Sequence, residues 1–270
     1  MINENEQIID NKISLIQILG FKISENSNTK YKKNYADGSY IFVDFSNETI
    51  IYSSNIRMDR RTICNFSKEE NFVVLECVNC LLDIGYKGDN LYLEKNMGDE
   101  KDYVDIAIYD KNAPSKIYTI IECKVFGESF NKAVSKAQKE GKQVLRYAIQ
   151  DRHCSYIILY TSQLTDNKVK RIEKSIDLTL YAVDNREELF NIWDKTFAEL
   201  DFFKKKPYAL IEKSIKKKDL IPISVNDIGD ISSNKSIYYE FKEILRRHSV
   251  SDKDNAYNKI FNLFLCKYVK

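Results

Sequence analysis

Two neighbouring runs decide the fold of this chain: Tyr103-Val-Asp-Ile-Ala-Ile-Tyr109 and, after a polar turn, Ile117-Tyr-Thr-Ile-Ile-Glu-Cys-Lys124. Both are rich in the β-branched and aromatic residues that favour strands. Strand side chains alternate between faces, so Glu122 and Lys124 share a face and lie within about 7 Å of each other. The pattern predicts two paired strands that bring Asp105, Glu122 and Lys124 to one place.

These three charged side chains favour a divalent-metal site. Two carboxylates in a half-buried place raise each other's pKa unless a cation lies between them. Magnesium prefers oxygen ligands, usually one or two carboxylates with water and phosphate oxygens. A lysine beside such a site can orient or help activate the attacking water, or balance charge that develops on phosphorus. This combination suits hydrolysis of a phosphodiester.

Composition limits the classes of protein to consider. The chain has 270 residues, of which 43% are hydrophobic, enough for a substantial core. A net charge of +2 gives no global attraction for polyanions, so any nucleic-acid surface must be local. The sequence shows neither a secretory signal nor a run of about 18 apolar residues, and we expect a soluble, cytoplasmic protein without a membrane partner. The six cysteines, including Cys77 and Cys80, are interpreted as reduced core thiols rather than zinc ligands.

The first 65 residues predict a helix and a hairpin. Residues 7–19 are typical of a short amphipathic helix that ends at Gly20. Residues 40–45 and 48–52 are typical of two strands joined by a tight turn. Basic residues surround this hairpin: Lys30, Lys32, Lys33, Arg57, Arg60 and Arg61. With the interleaved tyrosines they could face DNA, although a solvated rim is the more frequent explanation.

The centre of the chain predicts an α/β fold. A helix begins near Ser67, whose spacing from Glu70 matches a capping box, and ends at Gly85. A strand at 91–95, the two opening strands, a helix at 128–150 and a strand at 155–161 follow. A helix between the third and fourth strands implies a parallel crossover in a mixed central sheet with helices on its faces. A further strand at 178–183 and a helix at 186–200 close this part.

This helix–strand–strand–strand–helix–strand order, with Asp105 and Glu122-x-Lys124, resembles the PD-(D/E)xK nuclease superfamily and its restriction-endonuclease-like αβββαβ core. The sequence departs from that motif at Val104, where the family often has proline. The loop length leaves the register open, with Asp105 opposite either Ile121 or Glu122.

A second motif lies on the predicted helix that follows. Gln143-Val-Leu-Arg-Tyr147 resembles the Q-x-x-x-Y element of the N-terminal nuclease domains of type I restriction subunits and related exonucleases. Residues i and i+4 share a helix face, so Gln143 and Tyr147 can point at the same place. The motif therefore adds two polar groups beside the predicted site.

The resemblance implies a role for each site residue. Asp105 and Glu122 would bind Mg²⁺, for which Mn²⁺ could substitute, and the Cys123 carbonyl would be a further ligand. Glu70 matches the position where such nucleases often add an acidic residue and could be a further metal ligand, and this role and the capping box are equally favoured. Lys124 would position the water or stabilise the transition state. Gln143 and Tyr147 would organise the neighbouring surface.

The C-terminal part carries a different resemblance. Residues 239–247 and 255–267 look like the start of the helical domain that precedes the catalytic domain of N6-adenine DNA methyltransferases. No cofactor-binding glycine motif or N-P-P-Y occurs, so we expect a fragment that includes a nuclease and a connector. The expected parts are an N-terminal extension (1–65), a nuclease core (66–200), a basic linker (201–235) and the beginning of a methyltransferase-type helical domain (236–270).

Together these features predict a divalent-metal-dependent endonuclease domain of a restriction–modification protein. It would be type I or type IIG-like, act on double-stranded DNA and serve phage defence, with a methyltransferase or specificity region as its partner. The alternative is a catalytically inactive module that keeps the nuclease fold and binds DNA or another partner. A nuclease for RNA or single strands would share the same site.

Overall fold

A computed structural model describes residues 4–24, 27–98, 102–140, 154–178, 197–198 and 200–210. Within these ranges the chain has a mixed α/β structure with three helices and two sheets. The helices are α1 (Glu4–Ile18), α2 (Glu70–Asp83) and α3 (Glu128–Glu140). The predicted α/β class is therefore confirmed at this level.

The smaller sheet is antiparallel and has the strand order β1-β2-β3-β4. Its strands are β1 (Lys22–Ile23), β2 (Lys30–Asn34), β3 (Tyr40–Asp44) and β4 (Thr49–Tyr52). Gly20 follows α1 with a φ of +86°, a conformation that favours glycine after a helix. The predicted first helix and the hairpin of β3 and β4 are confirmed.

The larger sheet has seven strands in the order β11-β10-β9-β8-β7-β6-β5. They are β5 (Arg57–Met58), β6 (Leu91–Asn96), β7 (Tyr103–Tyr109), β8 (Ile117–Cys123), β9 (Tyr156–Thr165), β10 (Lys168–Asp177) and β11 (Phe197–Ala198). The pairs β8–β9 and β5–β6 are parallel, and the other neighbours are antiparallel. Since α3 lies between β8 and β9 in the chain, the predicted crossover and the mixed sheet are confirmed.

Helix α2 is buried continuously from Asn71 to Leu82. It packs against β8 and β9, and the Cys77 thiol on α2 hydrogen-bonds the Cys123 thiol on β8. The five cysteines among the described residues are free, as expected. Ile16 of α1 and Ile41 of β3 belong to the same hydrophobic cluster as this helix, so residues 1–65 and the larger sheet share one core.

Grouping by contacts divides the chain into two compact units, and every described residue belongs to the first, residues 1–179 with 185–213. The expected boundaries at residues 65, 200 and 235 stay predictions. The predicted strand at 178–183 and the methyltransferase-like segment at 236–270 fall almost wholly outside the described residues. None of the helices in the described part of the chain is long and apolar enough to cross a membrane.

Two features of the larger sheet differ from the sequence predictions. Strand β10 was not predicted, yet it forms a ten-residue antiparallel hairpin with β9. The turn residues Asp166 and Asn167 both have positive φ, as a two-residue hairpin turn requires. The helix predicted for 186–200 is wrong at Phe197–Ala198, which pair with Ser175 and Ile176 as a strand. Residues 186–196 lie outside the described part.

Candidate functional site

Asp105 and Glu122 lie on adjacent central strands of the larger sheet. Ile106 of β7 pairs with Ile121 of β8, so continuing this register by one residue places Asp105 opposite Glu122. The Asp105 Oδ2 atom accepts a hydrogen bond from the Cys123 backbone N–H at 2.7 Å. Of the two registers that the sequence left open, the structure has the one that brings the carboxyls together.

The Lys124 ammonium lies among three carboxylates. Its Nζ atom is 3.3 Å from Glu70 Oε1, 3.5 Å from Glu122 Oε2 and 3.9 Å from Asp105 Oδ2. It also donates a hydrogen bond to the Cys123 carbonyl at 2.7 Å. The structure thus brings together Asp105, Glu122, Lys124, Glu70 and Cys123.

The backbone explains why Lys124 reaches this position. Strand β8 ends at Cys123, and the Lys124 N–H donates a hydrogen bond to the Tyr160 carbonyl of β9 at 2.9 Å. The parallel neighbour therefore holds the residue that follows the strand. With its backbone fixed, the long Lys124 side chain extends to the carboxylates while 26% of its surface stays exposed.

Burial perturbs the carboxyl groups strongly. It raises the pKa of Asp105 to about 6, with a further increase from Glu70, although Lys124 and the Cys123 N–H act in the opposite direction. Burial also raises the pKa of Glu122 well above its ordinary value, and the Asp105 charge raises it further. Without a bound cation the pair therefore tends to keep a proton near neutral pH.

The pKa of Lys124 is also raised, because carboxylates surround its ammonium. Burial lowers the pKa of the Lys124 ammonium, but the charges of Asp105, Glu122 and Glu70 outweigh this effect and keep its pKa above the ordinary value. Among the described residues, three carboxylates share this single ammonium. These described groups therefore carry an excess of negative charge whenever the carboxyls are ionised, and they attract a further cation.

Glu122 is the least satisfied member of the cluster. Its side chain is only 6% exposed, and its Oε1 atom has no hydrogen-bond partner. A buried carboxylate oxygen without a partner costs free energy unless a ligand completes its coordination. Among the atoms of the cluster, this oxygen is therefore the one with a position open to a further ligand.

Glu70 belongs to this cluster, and the capping-box interpretation is wrong. Helix α2 begins at Glu70 itself, its N-cap residue is Glu69, and no side chain caps it. The Ser67 hydroxyl instead donates to Asn65 Oδ1, because the chain forms a turn there before the helix starts. Glu70 instead contacts Lys124, in a first helical turn that favours negative charge, and its role as a metal ligand stays a prediction.

The donor atoms suit a hard divalent cation. Asp105, Glu122 and the Cys123 carbonyl offer oxygen atoms, the ligands that magnesium and manganese prefer. The described residues contain no group of three or more His, Cys, Asp or Glu side chains already arranged around a metal position. Instead, the Lys124 ammonium lies between the carboxylates, so a metal ion would have to displace it toward its exposed side.

Gln143 and Tyr147 lie outside the described residues. Helix α3 is described as far as Glu140, which confirms the first half of the helix predicted for 128–150. Phe130 on this helix is buried, as the predicted inner face requires. The position of the Q-x-x-x-Y motif relative to the carboxylates stays a prediction.

One residue beside the site was missed by the sequence interpretation. Glu94 lies on β6 between two pairs of the ladder with β7, which places it next to Asp105 across the strands. It has a φ of +43°, and its buried carboxylate accepts a hydrogen bond from the Thr62 N–H at 2.7 Å. A glutamate in this strained backbone conformation is uncommon, and no feature of the sequence indicates it.

Comparison of the chain with protein-family models and with curated proteins finds no match. The chemistry of the site is therefore argued from its own residues.

Proposed function

We propose that this chain is a divalent-metal-dependent nuclease that hydrolyses phosphodiester bonds of DNA. The observation that carries the proposal is the convergence of two buried carboxyls with high pKa, Asp105 and Glu122, on the Lys124 ammonium. Clusters of strongly perturbed groups with a specific charge partner are concentrated at functional sites.

The order of the elements supports the same proposal. Helix α2 is followed by β6, β7 and β8, then by α3 and the parallel strand β9. This order agrees with the αβββαβ core of the PD-(D/E)xK superfamily, which the sequence resembles. Asp105 and Glu122 lie on the second and third of those strands, where that motif carries its carboxylates. Val104, in the place of the usual proline, is a fully buried β7 residue.

Each residue has a distinct task in the proposed reaction. Asp105 and Glu122 would lose the proton that the pair retains and would hold Mg²⁺ or Mn²⁺ together with the Cys123 carbonyl. The metal would supply Lewis-acid activation of water and charge stabilisation at phosphorus. Lys124 would donate hydrogen bonds to the attacking water or to a non-bridging oxygen, and Glu70, 3.3 Å from the ammonium, would hold it in place.

Lys124→Ala tests this assignment directly. We expect the variant to fold and to bind DNA but to cleave at least about 100-fold more slowly, since positioned donors of this kind contribute about that much. The measurement is conversion of supercoiled plasmid to nicked and linear forms with Mg²⁺ or Mn²⁺, with Lys132→Ala on exposed α3 as the control variant. Cleavage by Lys124→Ala at the wild-type rate would rule out the proposed role.

A specific observation favours a second candidate, a catalytically inactive module of the same fold. The Lys124 ammonium already neutralises part of the cluster from within, as it would in a domain that no longer uses metal. Mn²⁺ binding that depends on Asp105 and Glu122 separates the two candidates. Comparison of duplex DNA, single-stranded DNA and RNA as substrates separates the DNA nuclease from the RNA or single-strand nuclease.

The wider context is also a proposal. Residues 239–247 and 255–267, with their likeness to the start of a methyltransferase helical domain, support a restriction–modification protein of type I or type IIG-like organisation.

A further inference from the structure

A strip of arginine and tyrosine side chains lies on the same face of the larger sheet as the carboxylates. Arg57 on β5 pairs with Tyr92 on β6, and Tyr92 pairs with Ala107 on β7, two residues from Asp105. Paired residues on neighbouring strands, and residues two apart on one strand, point to the same face. Arg57 and Tyr92 therefore share the face of Asp105.

The arginines of this strip stack on its tyrosine rings. The Arg57 guanidinium carbon is 4.9 Å from the centre of the Tyr92 ring and 4.5 Å from that of Tyr109. The Arg60 guanidinium carbon is 3.2 Å from the centre of the Tyr103 ring, and Tyr103 precedes Asp105 by two residues. Arg57, Arg60, Tyr92 and Tyr103 are called the arginine–tyrosine strip below.

The strip is held in a fixed geometry. The Tyr92 hydroxyl donates to Asp59 Oδ1 at 2.5 Å, and the other Asp59 oxygen accepts the Asn96 N–H at 2.7 Å. Hydrogen bonding by Asp59 raises the pKa of Tyr92 to about 12, so the ring stays neutral and keeps its attraction for the guanidinium. The exposed Arg57 thus has a rigid support at the edge of the sheet.

Among the described residues, the local charge of the strip is positive. The Lys95 ammonium lies 5.3 Å from the centre of the Tyr92 ring and 3.9 Å from Asp59. Asp59 is thereby partly neutralised, and the nearby Glu94 carboxylate is turned inward to Thr62. The strip supplies the local basic surface that a chain with a net charge of only +2 needs to bind a polyanion.

The stacking geometry favours phosphate over bases as the group that is bound. Guanidinium groups already cover the tyrosine faces, so these rings are poor platforms for stacking unpaired bases. The edges of the stacked, exposed Arg57 guanidinium keep N–H donors, which fit phosphate oxygens in pairs. The strip therefore fits a sugar–phosphate backbone, which a duplex presents on its outside.

The distances also suit this arrangement. Arg57 lies two strands from β7 and two residues along from Asp105, which corresponds to a span on the order of 12 Å. Along one strand of a duplex such a span holds about three phosphates. One phosphodiester at the carboxylates and its neighbours on the strip would thus belong to the same DNA strand.

We propose that the arginine–tyrosine strip binds the backbone of the duplex DNA whose phosphodiester enters the Asp105–Glu122–Lys124 site. This inference rests on the proposed function and adds the surface that positions its substrate.

The test is binding of a short fluorescein-labelled DNA duplex, measured by anisotropy at several salt concentrations in EDTA so that cleavage cannot occur. The variant is Arg57→Gln with Arg60→Gln. We expect its affinity to fall about tenfold or more and the slope of log K against log salt to decrease by about 2, because two phosphate contacts are lost. Should the double variant not fold, Arg57→Gln alone carries the test, with an expected decrease of about 1.

A charge-matched control is available in the smaller sheet. Lys32 lies 4.4 Å from the centre of the Tyr40 ring, and Lys30 is near Asp44, so Lys30→Gln with Lys32→Gln removes the same charge elsewhere. Wild-type affinity and slope are expected for this control. An unchanged slope in the arginine variant, an equal loss in the lysine control, or no binding of duplex by the wild type would each overturn the proposal.

Failure of the strip and failure of the nuclease give different results. If the arginine variant binds duplex normally and cleaves plasmid with metal at the wild-type rate, only the proposed role of the strip is wrong. If the wild type binds duplex through the strip but no divalent metal supports cleavage, the proposed function is wrong and the strip stands as a DNA-binding surface.

Discussion

Two buried glutamates of this protein differ in whether their carboxylate oxygens have partners. Glu76 on α2 is fully buried, and both of its oxygens are used: Oε2 accepts from the Tyr160 hydroxyl, and Oε1 faces Arg171, with Nε at 2.7 Å. Glu122 on β8 is nearly as buried, yet its Oε1 has no partner and its other oxygen shares the Lys124 ammonium with two more carboxylates.

The difference is between a buried charge that the fold satisfies fully and one that it leaves partly unsatisfied. Glu76 connects α2 to β9 and β10, and each of its oxygens has a partner fixed in the fold. Glu122 shares one ammonium with two other carboxylates and leaves one oxygen without a partner, which raises the free energy of the folded state. Buried polar groups without partners are rare, and each one calls for an explanation, such as an absent ion or a catalytic role.

The same isosteric change should have opposite effects at the two positions. Glu76→Gln removes the carboxylate that neutralises Arg171 and accepts from Tyr160, so we expect the free energy of unfolding to fall by about 2–3 kcal/mol. This value is at the lower end for a buried pair because the Arg171 side chain is 38% exposed. Urea unfolding at neutral pH measures it. Glu128→Gln on α3 is the exposed control. If Glu76→Gln lowered the free energy of unfolding by less than this control does, the contrast between Glu76 and Glu122 would be lost.

The pH dependence of the free energy of unfolding should reveal the raised pKa of Asp105. The pKa of Asp105 is about 6 in the folded protein and about 3.9 in an unfolded chain, so the folded state binds more protons between these values. Its contribution to stability is therefore fully present below about pH 4 and is lost as the pH rises through 6. For this side chain, 19% exposed, the expected loss is about 2 kcal/mol.

Other carboxyls give the free energy of unfolding a pH dependence of the opposite sign, and this contribution must be subtracted from the measured profile. Hydrogen bonds to backbone and side-chain donors lower the pKa values of Asp37, Asp44 and Asp59, whose contributions to stability grow as the pH rises. The informative quantity is the difference between the wild type and Asp105→Asn, each unfolded in urea without metal from pH 4 to pH 7. Parallel pH profiles for the two proteins would contradict the raised pKa.

Glu122→Gln should change the free energy of unfolding least, and the change should be an increase rather than a decrease. Without metal at pH 7.5, Glu122→Gln is expected to raise the free energy of unfolding by about 1 kcal/mol. The carboxyl ionises freely in the unfolded chain but has a raised pKa in the folded protein, and the amide removes this difference. Equilibrium unfolding in EDTA gives the value. Destabilisation comparable with that of Glu76→Gln would show that Glu122 is structural.

The sequence was sufficient for the strands of the site but not for their pairing. The alternation in residues 103–109 and the apolar run in 117–123 predict β7 and β8, and Glu122-x-Lys124 indicates the cluster. Asp105 could face either Ile121 or Glu122, because the number of loop residues does not fix register when the ladder contains an irregularity, here at Ile108 and Tyr109. Only the folded sheet resolves this choice.

Strand β10 shows a second reason for failure. Its apolar residues Val169, Ile172 and Ile176 have spacings of three and four, which resemble a helix more than a strand. The decisive local signal is the Asp166-Asn167 pair, whose left-handed conformations form the hairpin turn. Turn chemistry, not periodicity, was the usable evidence here.

The role of Glu70 shows how a local motif can mislead. Ser67 and Glu70 have the spacing of a capping box, but Asn65 takes the Ser67 hydroxyl and the helix begins three residues later. The long-range contact of Glu70 with Lys124 crosses 54 residues of sequence, a distance at which spacing rules carry no information.

The proposed function requires that Asp105 and Glu122 together bind a divalent metal. Isothermal titration calorimetry with Mn²⁺ at pH 7.5 tests it most directly, on the wild type, Glu122→Gln and the exposed control Glu128→Gln. We predict heat of binding for the wild type and the control, and affinity at least about tenfold weaker for Glu122→Gln, since a charged oxygen ligand is lost. No binding by the wild type, or the same isotherm for Glu122→Gln, would contradict the claim.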